Sequence, residues 1–221
     1  MKAALHQGER GGLEGEGIAA TTGSEVASAG VELQGTERRV SVRMRRRLPH
    51  WTADGGTYFV TFRLFDSLSP ELARRIAGRK LAHRLVDRFL DRGDGCCYLR
   101  DPRAADIVQE AVRFFHGQRY VLHAWAVMPN HVHAVFRTMP GVTLASVTHS
   151  WKSFTAGQIN RLLLRSGRLW QEESFDTLIR DSKQFERIVA YVFRNPEKAG
   201  LMNWRWASVL DTPFELRPPA V

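Results

Sequence analysis

The chain has 221 residues, of which 43% are hydrophobic and 10% aromatic, enough for the core of one domain of ordinary size. Basic side chains outnumber acidic ones by 32 to 23, and the excess lies in residues 41–221, which carry 28 basic and 17 acidic side chains. The only cysteines are adjacent, at 96 and 97, and we find no secretory leader pattern and no apolar run of spanning length. These features argue against a disulfide-bonded secreted protein and a membrane protein. They predict a soluble, cytoplasmic protein with an anionic partner, above all nucleic acid.

The first part of the chain differs in composition from the rest. Residues 1–40 are rich in Gly, Ala, Ser, Thr and Glu without steady periodicity, and we expect a disordered tail there. One domain should follow over residues 41–210, with a C-terminal tail at 211–221. The domain opens with a basic arm, whose residues are Arg43, Arg45, Arg46, Arg47 and, after Pro49 and His50, Trp51. Arginine runs are commonly just solvated, but the neighbouring tryptophan makes a contact with DNA phosphates and bases an equally good interpretation.

Hydrophobic periodicity predicts alternating strands and helices along the domain. The predicted elements are, in chain order, a strand at 57–64, a helix from Ser69 to about Leu90, a possible short strand at 96–99, a helix from Asp101-Pro102 to Gly117, strands at 120–127 and 131–137, a helix at 143–165, a strand at 175–179 and a last helix from Asp181. Without the short strand, this order is βαββαβ with a trailing helix. It predicts an α+β, ferredoxin-like antiparallel sheet with helices on one face and the first and third strands in the centre.

Two histidines stand just after a tight turn between predicted strands, in the segment Met128-Pro129-Asn130-His131-Val132-His133. Side chains alternate along a strand, so His131 and His133 should point to the same face of the sheet. A single strand histidine is more often a packed or surface residue than a ligand. A pair on one face is half of a metal site, and we regard ligation and simple packing as about equally supported.

The last predicted helix carries three polar groups near its end. Tyr191 and Asn195 are four residues apart and share one helical face, which Arg194 flanks. Pro196 is expected to close the helix directly after Asn195. Taken alone, this pattern is better explained by a core tyrosine beside a polar helix terminus than by a site.

Together these segments resemble the REP-associated tyrosine transposases, within the HUH single-tyrosine transposases and nucleases. The likeness covers about residues 43–208 and is carried by the histidine segment 128–133, Trp170-Gln171, Ile179-Arg180-Asp181, Tyr191 through Pro196, Ala199-Gly200-Leu201, and Arg47 to Trp51 before the strand at 58–62. Residues 1–40 have no counterpart in the family, and residues 66–100 make the first connection unusually long. The long connection could alter hairpin recognition.

The resemblance implies a site and an activity. His131 and His133 would hold a divalent cation with Asn195 as the third ligand, and Tyr191 would be the nucleophile. Family members cut single-stranded DNA beside imperfect hairpins, forming a 5′-phosphotyrosine bond and freeing a 3′-hydroxyl, a state that also permits strand transfer. Because no cysteine is at hand and one ligand is an amide, we expect Mg²⁺ or Mn²⁺ rather than structural zinc, although imidazole also suits zinc.

The expected partner is therefore single-stranded DNA with hairpins, bound by a monomer or a homodimer and without a membrane. The expected DNA contacts are Arg43, Arg45, Arg46, Arg47, Trp51, Lys152 and Arg194. Trp204 and Trp206 are further candidates for base stacking, although each is also a plausible core residue, and for Trp151 and Trp170 we expect the core. Two alternatives stay open: a non-catalytic RNA- or DNA-binding module of the same fold, and a metal-dependent hydrolase that uses water, with Tyr191 incidental.

Overall fold

The computed structural model describes residues 40–45, 48–69, 71–72, 83–93 and 95–215. The strands are β1 (Val40–Arg45), β2 (Leu48–Ala53), β3 (Thr57–Arg63), β4 (Tyr120–Val127), β5 (His131–Thr138), β6 (Phe175–Leu178) and β7 (Ala207–Val209). The helices are α1 (His83–Arg92), α2 (Pro102–Phe114), α3 (Leu144–Leu162) and α4 (Ser182–Lys198). None of the described helices is long and apolar enough to cross a membrane.

Five strands form one antiparallel sheet in the order β6-β3-β5-β4-β7. The strand that carries both histidines is central, because β5 pairs with β3 on one side and with β4 on the other. His133 lies opposite Thr61 of β3 and Ala126 of β4. The predicted ferredoxin-like, α+β arrangement is thereby confirmed. The edge strand β7 was not predicted, since three residues are too few to give an alternating pattern.

The predicted basic arm contains a separate two-stranded hairpin. Strands β1 and β2 pair antiparallel, from Val40 opposite Ala53 to Arg45 opposite Leu48. Arg46 and Arg47 lie outside the described residues, as does the predicted disordered tail up to residue 39. Residue 40, assigned to that tail, is instead the first residue of β1.

Apolar side chains cover both faces of the sheet, but the helices divide unequally between them. Helices α2 and α3 pack on one face, against inward residues such as Val60, Phe62 and Phe136. Helix α4 packs on the other face, against Phe59 and Val135. Alternation along β3 and β5 sends neighbouring residues to opposite faces, so His131 and His133 lie on the α4 face.

The two tryptophans expected in the core are buried on the α2/α3 face. Trp151 is 2% exposed and Trp170 is 4% exposed. The Trp151 indole donates to the Tyr120 hydroxyl at 3.0 Å, and the Trp170 indole donates to Thr155 Oγ1 at 2.8 Å. Burial of a tryptophan is favourable when its N–H finds a partner, so both rings can fill the core without a desolvation penalty.

Three helices begin at side chains that cap their first turns. The side chains of Asp101, Thr143 and Asp181 accept backbone N–H groups in the first turns of α2, α3 and α4. Ser69 likewise accepts the N–H of Leu72 at 3.2 Å. We predicted one helix from Ser69 to about Leu90. The structure shows helix at residues 71–72 and in α1, and residues 73–82 lie outside its described part.

Two local predictions were wrong. The stretch 96–99 is not a strand: it leads into a 3-10 helix at Tyr98–Arg100, which buries Leu99 and bonds its N–H to Pro129 O at 3.0 Å. Helix α4 does not end before Pro196 but continues to Lys198. A proline so near the helix end removes only one hydrogen bond, which the remaining turn tolerates.

Candidate active site

The two motif histidines meet ring to ring beneath α4. Both are fully buried, and their Nε2 atoms are 3.0 Å apart. The other nitrogen of each ring makes a hydrogen bond: His131 Nδ1 lies 2.7 Å from Asn130 Oδ1, and His133 Nδ1 lies 2.8 Å from Thr61 Oγ1. The pair therefore presents two Nε2 atoms to one point, with each ring orientation fixed by its other nitrogen.

Asn130 determines which nitrogen of His131 carries the proton. Its amide N–H₂ donates to the carbonyl of Leu90 in α1 at 3.0 Å, which leaves the amide oxygen facing His131. Since that oxygen can only accept, His131 Nδ1 donates, and Nε2 of the neutral ring presents a lone pair. The asparagine of the turn thus prepares His131 as a ligand.

Tyr191 lies against the same histidines. Its ring makes edge contacts with His133, at 5.5 Å between centroids, and with Phe59, at 6.1 Å. Its hydroxyl donates to Asp87 Oδ2 at 2.7 Å, across 104 residues of sequence. Burial, followed by the charge of Asp87, raises the pKa of Tyr191 above the ordinary value for a phenol, so the hydroxyl is neutral at physiological pH.

Asn195 follows one helical turn later and is also fully buried. Within the described part of the chain, neither its amide oxygen nor its amide nitrogen has a hydrogen-bond partner. A buried amide without partners is costly and is rare in folded proteins, so it needs an explanation. An amide oxygen poised for a cation would supply one.

These groups fit a divalent ion. Among the described residues, no three His, Cys, Asp or Glu side chains group as a metal site. Two imidazoles alone do not complete a coordination sphere, and the Asn195 amide oxygen and Asp91 Oδ1 are further buried oxygens without hydrogen-bond partners among the described residues. Imidazole with amide oxygen is a donor set compatible with Mn²⁺ or Mg²⁺.

Two aspartates of α1 were missed as site residues. Asp87 is 3% exposed and meets Tyr191, while Asp91 Oδ1 lies 3.8 Å from His131 Nε2. Burial and the charge of Asp87 raise the pKa of Asp91 to about 7. The available signal was the Asp-x-x-x-Asp spacing, which places both carboxylates on one helical face. That spacing is also typical of a solvated helix, and it occurs in the long first connection that departs from the family pattern.

The predicted DNA contacts are scattered over the molecule. Arg194 is exposed on α4, next to the site. Lys152 is on α3, on the opposite face of the sheet, where its Nζ donates to Glu172 O at 2.8 Å. Arg43, Arg45 and Trp51 belong to the β1/β2 hairpin, and all seven contacts stay predictions.

Of the two roles open to Trp206, base stacking and core packing, the structure shows core packing. Its side chain is 7% exposed and donates to Asp106 Oδ1 at 2.7 Å, which leaves no face for a base. Trp204 is half-buried against it, with ring centroids 4.7 Å apart, and donates to Val127 O. The two rings support the end of β4 instead.

The central part of the chain is similar to a known protein family. The family model described as IS200-like transposase matches residues 101–195, which run from the cap of α2 to Asn195. The matched segment contains both motif histidines and Tyr191. The resemblance to single-tyrosine transposases predicted from the sequence is therefore confirmed. A search of curated protein sequences found no match to the chain.

Two solved structures are similar in fold. One is described as a REP-associated tyrosine transposase bound to a REP hairpin; it is 19% identical, has a TM-score of 0.47, and the match covers 74% of this chain and 82% of that one. The other is a candidate transposase of Deinococcus radiodurans R1, 16% identical with a TM-score of 0.38, covering 63% of this chain and 89% of that one. At TM-scores this low, the likeness carries no conclusion on function.

Proposed function

We propose, from the match of residues 101–195 to the IS200-like transposases, that the protein is a metal-dependent transposase that cuts and rejoins single-stranded DNA beside hairpins. The observation that carries the proposal is the convergence of Tyr191, His131, His133 and the unpartnered amide of Asn195 on one face of the sheet. A nucleophile beside a ligand set is the arrangement that phosphoryl transfer with a covalent intermediate requires.

Tyr191 would act as the nucleophile. Its oxygen attacks the phosphorus of a DNA phosphodiester, the bond from phosphorus to the 3′ oxygen breaks, and the 5′ phosphate stays on the tyrosine. Mg²⁺ or Mn²⁺, held by His131, His133 and Asn195, would supply Lewis-acid stabilisation of charge on the phosphate. Because the phosphotyrosine conserves the energy of the broken bond, a 3′-hydroxyl can reverse the attack, which accounts for rejoining and strand transfer.

The surrounding protein supports this chemistry by excluding water. His131 and His133 are fully buried beneath α4, and Tyr191, on the sheet-facing side of α4, is half-buried. Hydrolysis of the phosphotyrosine would end the reaction before transfer, so a dry site favours a transferase over a hydrolase. This observation disfavours the alternative in which Tyr191 is incidental.

The substrate would be held by positive charge. Residues 41–221 carry 11 more basic than acidic side chains. Arg194 is exposed on α4, in the helical turn that follows Tyr191. We assign phosphate contacts to Arg194, Arg43, Arg45, Arg46, Arg47 and Lys152, with Trp51 as the stacking ring. The protein would bind the DNA as a monomer or a homodimer.

The test is covalent capture of DNA. The protein is incubated with Mn²⁺ and labelled single-stranded hairpin DNA from the flanks of its own gene, then separated on a denaturing gel. We expect a covalent band with the native protein and none with Tyr191→Phe. The matched control is Tyr98→Phe, which removes another hydroxyl that donates to a carboxylate, that of Asp66 at 3.1 Å.

Other outcomes distinguish the alternatives. DNA binding without any covalent species, across several flanking hairpins, would favour the non-catalytic binding module. Cleavage that persists in Tyr191→Phe would favour a hydrolase that uses water. Loss of the band in Tyr98→Phe would mean that the tyrosine test reports folding rather than chemistry.

A further inference from the structure

The Tyr191 hydroxyl donates to a buried carboxylate, whereas the carboxylate that accepts from Tyr98, that of Asp66, is only half-buried. The buried tyrosines Tyr58 and Tyr120 donate to backbone carbonyls, of Ala53 at 2.8 Å and of Val112 at 2.7 Å. Tyr191 donates instead to the carboxylate of Asp87, at 2.7 Å. A carbonyl is sufficient to satisfy a buried hydroxyl, so the carboxylate requires a further explanation.

Burial makes that carboxylate expensive. Asp87 is 3% exposed, and a second carboxylate, Asp91, lies one turn further along the same helix. Placing a negative charge away from water and near a like charge costs folding free energy. Protein sites that keep such groups are commonly functional.

We propose that Asp87 is the catalytic base that takes the proton from Tyr191, an inference that rests on the proposed function. The O–H bond of Tyr191 breaks and its proton passes to Asp87 Oδ2 as the tyrosine oxygen bonds to phosphorus. The bond from phosphorus to the 3′ oxygen breaks, and that oxygen takes a proton from solvent. When a 3′-hydroxyl attacks the phosphotyrosine, its proton passes to solvent, the bond from phosphorus to the tyrosine oxygen breaks, and Asp87 returns its proton to that oxygen.

The geometry meets the conditions for proton transfer in one step. The donor and acceptor oxygens are 2.7 Å apart, within the range of a strong hydrogen bond to a charged group. The Tyr191 ring is held by Phe59 and His133, and the base is held on a helix whose Leu90 carbonyl is bonded to Asn130. Nucleophile, base and ligand histidines are thus parts of one connected arrangement.

The experiment compares single-turnover formation of the covalent DNA adduct in the native protein, Asp87→Asn, Asp87→Ala and the control Glu110→Gln. Glu110 is exposed on α2, across the sheet from Tyr191, and undergoes the same change from acid to amide. We expect Asp87→Asn to slow adduct formation by about a hundredfold or more, the usual contribution of a general base, with DNA affinity retained. We expect added formate to restore part of the rate in Asp87→Ala.

Each outcome decides one question. Adduct formation at the native rate in Asp87→Asn would overturn the assignment while the transposase function stands. A slow Asp87→Ala that is folded by circular dichroism but not rescued by formate would reduce Asp87 to a positioning residue and also overturn it. Absence of a Tyr191-dependent adduct in the native protein would instead refute the proposed function itself.

Discussion

The two faces of the sheet differ in how their largest polar groups are paired. On the α2/α3 face, Trp151 donates to Tyr120, and Trp170 donates to Thr155, so these buried side chains have partners. On the α4 face, the Asn195 amide and Asp91 Oδ1 have no hydrogen-bond partner among the described residues. The first face is built for stability, and the second retains groups that a ligand would satisfy. Substitutions on the two faces should therefore change different observables.

The largest effect should follow loss of the histidine pair. His131→Ala or His133→Ala should reduce Mn²⁺-dependent adduct formation by about a thousandfold, because a bound Lewis acid supplies several kcal/mol to the transition state. Binding of Mn²⁺, measured by calorimetry, should fall in parallel, while hairpin affinity is retained. His149→Ala, an exposed change on α3, is the control. Native activity in both single variants would refute the metal assignment.

The next effect concerns the α2/α3 face of the sheet. Trp151→Ala should lower the free energy of unfolding by about 3–5 kcal/mol, since it leaves a large cavity and removes the partner of Tyr120. Denaturant titration measures the loss. Any variant that remains folded at low temperature should still bind Mn²⁺, and a loss of metal affinity comparable to that in His131→Ala would contradict the division between the faces.

A pH effect of similar size should come from His123. This side chain is 1% exposed on β4, and burial, with a smaller contribution from Arg137, lowers its pKa to about 4. Because the unfolded chain protonates near pH 6.5, stability from neutral His123 is complete above that pH and is lost as the pH falls toward 4, by about 3 kcal/mol in total.

The measurement is the difference in unfolding free energy between native protein and His123→Gln from pH 7 to 4. A difference is needed because Asp91, whose pKa is raised to about 7, stabilises the fold as the pH falls and acts in the opposite direction. A difference that stays constant over this range would show that His123 is not held neutral.

The smallest expected effect, at Asn195, is the most direct test of the difference between the two faces. Asn195→Leu should raise the free energy of unfolding of the metal-free protein by about 1 kcal/mol, because a buried amide without partners is replaced by an apolar group of similar size. The same change should weaken Mn²⁺ binding and slow adduct formation. Thermal unfolding without metal tests the expected gain in stability, and Mn²⁺ titration tests the expected loss of metal affinity. A destabilised variant would mean that the amide contributes to folding.

The central sheet and half of the site could be predicted from sequence because local patterns encode them. Alternation around the Pro129-Asn130 turn placed both histidines on one face, and capping residues gave the starts of three helices. The contact of Asp87 with Tyr191 could not be predicted, since it joins residues 104 apart that share no pattern. An acidic pair on a helix ordinarily indicates a solvated surface, and only the packing of α1 against the site overrides that expectation.

The long separation between Asp87 and Tyr191 has a consequence for synthesis of the protein. The first connection, the histidine strand and the nucleophile helix leave the ribosome in that order, and β7 follows α4 before it pairs with β4. A nascent chain that has already exposed its histidines still lacks Tyr191 and Asn195. On the proposed function, the site that would cut DNA is complete only once α4 has folded onto the sheet, late in the synthesis of the described part of the chain.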